Sequence, residues 1–193
     1  MAKVLVPLAP GFEELEAITI IDLLRRAGID VITAGLDDQP VRASRNSVHI
    51  PDTSIESIKQ DEFDLIVLPG GLLGADNLRD NQQVQTLLKQ QHRLGKPMAA
   101  ICAGPKALAA AGVLEGKKIT CYPGVLNEIK PTNFEITGSA VEIDGNIVTS
   151  RGPGTAMDFA LSLIEMLEGQ SVRDSVNICR DTKMYHTLPA LNH

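Results

Sequence analysis

A chain of 193 residues is long enough for one domain that buries roughly 70% of the surface its unfolded form exposes. With 44% hydrophobic and 22% charged residues the composition is that of an ordinary globular protein, and with 3% aromatics and no Trp the core must be aliphatic. A net charge of −6 without a basic stripe argues against a standing nucleic-acid patch, and no apolar run approaches the ~18 residues of a membrane span.

Taken in order, residues 4–8 read as a short buried strand ending at the turn Ala9-Pro10-Gly11. Residues 13–28 carry Ala17, Ile20, Ile21, Leu24 and Ala27 at helical spacing, with acids in the first turn, Arg25-Arg26 in the last and Gly28 as the stop. A strand is expected over 30–36, then a turn at 37–40 and a small hairpin up to Ile50. Residues 52–62 are polar with a helical hint at Ile55 and Ile58. The run 64–68 (Asp-Leu-Ile-Val-Leu) is almost wholly apolar, as in a parallel strand covered on both faces. A helix over 82–94, a strand over 97–101 and a helix over 105–111 follow, then a short strand over 118–121. Signals between 124 and 145 are mixed, but Asp144-Gly145 is a hairpin-type turn before a strand over 146–150. A long helix to about Gly169 and a last helical segment over 171–180 complete the reading. No composition shift or repeat divides the chain, so residues 1–193 form one domain. Its class is α/β, a doubly wound, mostly parallel sheet with helices on both faces, flavodoxin-like.

Residues 96–112 draw the chemistry together. An apolar strand meets Cys102, and Ala103-Gly104-Pro105 opens an Ala-rich helix. Ala100-x-Cys102-x-Gly104 is the small-residue form of a nucleophile elbow, in which small flanks let strand and helix approach closely. The helix N-terminus that follows favours thiolate, so the pKa of Cys102 is expected below that of a free cysteine. The bland alternative is a buried, inert Cys. With Cys121 and Cys179 it makes three cysteines without metal-ligand spacing, which suggests a reducing compartment rather than a disulfide framework.

In an open parallel sheet, ligands bind outside the carboxyl ends of the strands. That rule puts Glu13, Glu14 and Glu16, the pair Gly70-Gly71, Cys102, Tyr122 and Arg151 on one rim. The three carboxylates could simply complement the helix dipole, and the glycines could be only a tight turn. A Gly71 N–H paired with that of Ala103 could equally hold an oxyanion. None of the four histidines, at 49, 92, 186 and 193, follows a strand, so a Cys-His pair is not visible.

Four motifs in register, Glu-Glu-Leu-Glu (13–16), Leu-Pro-Gly-Gly (68–71), Ala-Ala-Ile-Cys-Ala-Gly-Pro (99–105) and Thr-Ser-Arg-Gly-Pro-Gly-Thr (149–155), resemble the ThiJ/PfpI superfamily. They are most similar to its branch containing the Parkinson's-disease-associated deglycase. The resemblance spans about 2–175 and leaves 176–193 poorly matched. It implies the flavodoxin-like fold and singles out Glu16 as the acid that hydrogen-bonds Cys102. It also places Arg45 and Arg151 near the pocket. Ala103 stands where the protease-like branch has His, and Tyr122 where the human deglycase has His, which leaves Glu16 as the proton carrier. The implied activity is a cofactor-free and metal-free attack by Cys102 on an α-oxoaldehyde such as methylglyoxal or glyoxal, or on a glycated adduct. The implied assembly is a homodimer joined through the hairpin and the first helix, whose Ala17, Ile20 and Leu24 stripe is broad enough to spare an apolar edge; the cysteine usage and the short apolar runs suggest a cytoplasmic protein. The alternative is a redox-sensing or chaperone-like stress protein using the same thiol.

Overall fold

The computed structural model describes residues 1–127 and 133–176. Strand β1 (Lys3–Leu8) and strand β2 (Asp30–Gly35) flank helix α1 (Glu14–Arg26). A small antiparallel hairpin, β3 (Val41–Arg42) with β4 (Val48–His49), precedes the two-residue strand β5 (Thr53–Ser54). Strand β6 (Leu65–Leu68) leads into α2 (Leu72–Asp80) and α3 (Gln82–Arg93), and β7 (Met98–Ile101) into α4 (Pro105–Ala110). Then come β8 (Lys118–Ile119), β9 (Glu135–Ile136), the hairpin β10 (Val141–Asp144) and β11 (Ile147–Ser150), and the helices α5 (Ala156–Glu168) and α6 (Gln170–Val176). The central sheet runs β10-β11-β7-β6-β1-β2-β5, and only β10 is antiparallel to its neighbour.

The alternation of side chains across the strands makes two cores. Val4, Val6, Leu8, Val67 and Ala99 face the side covered by α1 and α5. Leu5, Ile66, Leu68, Met98 and Ala100 face the side covered by α3 and α4. All four residues of β6 and of β7 are buried, which explains their unbroken apolar runs. The expected order, with the strands over 4–8, 64–68 and 97–101 as parallel neighbours, is the order found.

Two expectations need correction, and two elements were not expected. Residues 72–80 form a helix that the apolar spacing does not announce. Its large apolar residues, Leu72 and Leu73, face outward, while Gly74, Ala75 and Leu78 are buried. Residues 118–121 are a strand only at Lys118–Ile119, paired with β9 and not with the central sheet. The Thr120 N–H still ties it to β11 through Thr149 Oγ1 at 2.8 Å. Residues 52–62 contribute the edge strand β5, which was not expected, and a single 3₁₀ turn, Glu56–Ile58, where the helical hint lies. Finally, the stripe Ala17, Ile20 and Leu24 on α1 is fully buried, so it leaves no apolar edge for a partner. The exposed apolar residues of α1 are Leu15 and Ile18. The part of the 171–180 expectation beyond Val176 lies outside the described residues, as do Cys179, His186 and His193.

Candidate active site

Cys102 follows β7 with φ of 61°, in the left-handed region that a residue with a Cβ enters at a cost of about 1–3 kcal/mol. The strain is held from both sides. The Cys102 N–H donates to Ser150 O and the Tyr122 N–H donates to Cys102 O, each at 2.9 Å. Ser150 is itself fixed, its hydroxyl bonding to Ala140 O at 2.9 Å and to Thr155 Oγ1 at 2.7 Å. This is the strand-to-helix elbow that the small residues at 100 and 104 prefigure. Gly104 is needed because a Cβ there would stand 2.6 Å from Leu68 O.

Three segments converge beneath the thiol. Glu13 caps α1, its carboxylate accepting the Glu16 N–H at 2.8 Å, and this sets Glu16 in the first turn pointing inward, with no exposed surface. Glu16 Oε2 accepts the Gly70 N–H at 2.8 Å. The Glu13 N–H in turn donates to Gly70 O at 3.0 Å, so α1 and the end of β6 are cross-linked through their backbones. Gly70 has no room for a side chain: a Cβ would collide with the Glu16 carboxyl and stand 2.6 Å from Cys102 Cβ. Gly71 has φ of 86°, and a Cβ there would lie 2.7 Å from Glu13 N. The N–H groups of Gly71 and Ala103 both point at Cys102 Sγ.

The carboxyl and the thiol are coupled. Burial pushes Glu16 up to about 7, against a hydrogen bond with Cys102 and the Gly70 N–H. The contact with the thiol is loose enough that Oε1 still counts as an unpaired buried acceptor. Burial also pushes the Cys102 thiol up to about 12, the Glu16 charge and hydrogen bond add to it, and the Gly71 and Ala103 N–H groups oppose it without prevailing. Burial and the neighbouring acid thus oppose the low thiol pKa that the helix start predicts. Helix α4 has only six residues and a small dipole, while burial and a neighbouring acid both disfavour a second charge. The pair loses a first proton near neutrality and retains the second, so one negative charge is shared between sulfur and carboxyl. Cys121, raised to about 11 by burial alone, has no such partner.

Cys102, Gly71, Arg45 and Tyr122 line a cavity of about 680 Å³, with Glu16, Gly70 and Ala103 buried beneath. Arg151 is not part of it: its guanidinium is exposed and donates to Gly138 O at 3.2 Å. Glu13 also lines it, as do Arg42, Leu72, Leu73 and Pro153, to which the sequence did not point. Their only signal is position, since the 41–49 hairpin and α2 have weak periodicity. Glu14 fixes that hairpin. Burial would raise its carboxyl, but hydrogen bonds from Ser44, its own N–H, the Arg45 N–H at 2.6 Å and Ser47 hold it down at about 2. Among the described residues no cluster of three His, Cys, Asp or Glu side chains could hold a metal ion.

The same arrangement of strands occurs in known proteins. The Parkinson disease protein 7 homolog of Danio rerio is 44% identical over 177 residues, covering 90% of this chain and 94% of that protein. The glutathione-independent glyoxalase DJR-1.2 of Caenorhabditis elegans is 35% identical over 164 residues, covering 85% and 87%. The crystal structure of Drosophila melanogaster DJ-1beta superposes with a TM-score of 0.88 at 42% identity, covering 93% of this chain and 97% of the other. Residues 2–166 match the DJ-1/PfpI family, and the chain belongs to that family.

Proposed function

We propose that the protein is a cofactor-free, cysteine-dependent enzyme that converts α-oxoaldehydes such as methylglyoxal and glyoxal, or their early glycation adducts, into hydroxyacids. The observation that carries this reading is the strained Cys102 beside a buried carboxyl whose pKa is raised to about 7. A base poised near the working pH takes a thiol proton as the sulfur attacks, which activates a nucleophile that would otherwise remain neutral. The glyoxalase name of the Caenorhabditis relative supports the same chemistry.

In the proposed sequence Cys102 Sγ bonds to the aldehyde carbon while its proton passes to Glu16. The developing oxyanion takes over the N–H groups of Gly71 and Ala103 and is then protonated by Glu16, giving a hemithioacetal. Glu16 next removes the hydrogen from the former aldehyde carbon and returns it to the neighbouring carbon, while the hemithioacetal hydroxyl proton passes to the ketone oxygen. The first carbon is oxidised to a thioester and the second reduced to an alcohol. Water cleaves the thioester, releasing the hydroxyacid and restoring the thiol. Methylglyoxal plus water thus becomes lactate with no external redox partner. Tyr122 and Arg45 serve as walls and contacts for the substrate; Arg151, turned to Gly138, has no part in this scheme.

The redox-sensor reading draws on the same thiol, and burial beside the Glu16 carboxyl, which disfavours the free thiolate, serves it less well than proton transfer to Glu16 during attack. The protein is further proposed to be a cytoplasmic homodimer. Two described cysteines are free thiols, and no helix among the described residues is long and apolar enough to cross a membrane. Leu15 and Ile18 on α1, with Val48 and Ile50 on the hairpin, are exposed and form the proposed contact face. The deciding assay follows methylglyoxal loss and lactate formation by wild type and Cys102→Ser. Turnover that survives the substitution refutes the proposal.

A further inference from the structure

The cavity is far larger than the substrate named above. Methylglyoxal is three carbons long, whereas about 680 Å³ is the size of pocket that holds a much larger ligand. Its walls also carry positive charge that the protein does not use. Among the described arginines, Arg25, Arg26, Arg79 and Arg173 pair with acids. Arg42 and Arg45 do not, and both line the cavity with Cys102. The Arg42 guanidinium has one described contact, to Asn46 O at 3.3 Å.

The nearby acids are otherwise engaged. Glu13 accepts the Glu16 N–H, and Glu14 accepts Ser44, Ser47 and the Arg45 backbone N–H. The two arginines are held in place by their main chains, Arg42 through its carbonyl, which accepts the Gly11 N–H at 2.8 Å, and Arg45 through its N–H to Glu14. The neighbouring Ser44 N–H donates to Phe12 O at 2.8 Å, so the hairpin turn is docked on the segment that leads to Glu16. On a chain of net charge −6, the two unpaired guanidiniums outnumber Glu13, the one acid that lines the cavity, and leave this wall locally positive.

We propose that Arg42 and Arg45 select α-oxoaldehydes bearing a carboxylate or phosphate at the end away from the aldehyde. This rests on the reading of Cys102 as a carbonyl nucleophile and adds the class of substrate. The charge shared by Cys102 and Glu16 repels the anionic end and the arginine wall attracts it, so the aldehyde is presented to sulfur. The reaction balances as for methylglyoxal: 4,5-dioxopentanoate plus water gives 2-hydroxyglutarate, the aldehyde carbon oxidised and the ketone carbon reduced.

Two measurements test this separately. The first is the rate at which iodoacetate labels Cys102 relative to neutral iodoacetamide, read by mass mapping. It needs no turnover. Arg42→Ala and Arg45→Ala should each lower this ratio about threefold, the scale of an exposed charge interaction, and the double variant about tenfold. Arg42→Lys should retain most of it, and Arg93→Ala, whose site does not line the cavity, should leave it unchanged. Arg45→Ala is the safer variant, because the Arg45 guanidinium has no described contact that its loss would break. The second is kcat/KM for 4,5-dioxopentanoate relative to methylglyoxal, which should exceed one and fall in the same variants. An alkylation ratio indifferent to both arginines overturns the proposal whatever the enzyme consumes. Turnover of methylglyoxal without preference for the anionic aldehyde overturns it as well. An arginine-dependent ratio without turnover of either aldehyde instead refutes the enzymatic reading and leaves the anion site standing.

Discussion

Replacing Glu16 separates the effects of charge, hydrogen bonding and proton transfer on Cys102. In wild type the pair should release its first proton near 7 and its second near 12. The rate of iodoacetamide labelling at Cys102 should therefore climb through a step near pH 7, level off, and climb again only in strong alkali. Two unit charges ~4 Å apart at an effective dielectric constant of ~20 interact by about 4 kcal/mol, which is ~3 pKa units. Glu16→Gln and Glu16→Leu both remove that repulsion, so their single thiol titration should fall well below 12 while the step near 7 disappears. Gln can still donate an N–H to sulfur and Leu cannot. A hydrogen bond to a charged group is worth ~1.5–3 kcal/mol, so the thiol of Glu16→Leu should titrate ~1–2 units above that of Glu16→Gln. Thiolate absorbance near 240 nm in a Cys121→Ser, Cys179→Ser background, with labelling rates from pH 5 to 12, reads all three quantities. Both variants should lose turnover, since neither moves a proton. A labelling step near pH 7 that persists in Glu16→Leu would show that Glu16 is not the group titrating there, and the coupling argument would fail.

Three further outcomes follow from the same geometry. The folded protein holds the Glu16 proton up to about 7 against an ordinary value of 4.5, so the native state binds more protons than the unfolded one between those values and stability falls as pH rises through them. The loss is about 3 kcal/mol, and Glu16→Gln should flatten that part of the pH profile in urea titrations; an unchanged slope would contradict a buried, raised carboxyl. Gly70→Ala should destabilise by ~1–3 kcal/mol and abolish turnover, because its Cβ has no space between Cys102 and Glu16; a variant with wild-type Tm and activity would disprove the close approach. Light scattering at low micromolar concentration should give a dimer that Val48→Asp with Ile18→Asp converts to monomer, and a wild-type mass near 20.7 kDa would exclude it.

Legibility from sequence followed the strength of local patterns. The apolar runs at β1, β6 and β7 fixed three neighbouring parallel strands, because a strand buried on both faces tolerates little else. The rim rule then brought Glu16, Gly71 and Cys102 to one end. Helix α2 escaped because its buried face is made of Gly74, Ala75 and Leu78 while two leucines point outward, the reverse of an amphipathic helix. Arg151 was misplaced because position at a strand end does not determine direction; its side chain turns to Gly138. For the thiol, the helix start that favours thiolate is visible in sequence, but the depth of burial that opposes it is not.

The Gly70 and Gly71 contacts have a consequence for changing what the protein accepts. Around Cys102 the floor of the cavity consists of peptide groups, and at Gly70, Gly71 and Gly104 even one added carbon collides with a neighbouring segment. Redesign at these positions has no smaller residue to turn to, and every larger one moves the thiol or its acid. The walls obey a different rule. Arg42, Arg45, Leu72, Leu73 and Tyr122 extend from the hairpin, a helix start and a loop, all largely exposed, and can change size or charge without entering either core. A library confined to those five positions should therefore vary substrate choice on an unchanged reaction centre, whereas one spread over the floor would return mostly inactive protein.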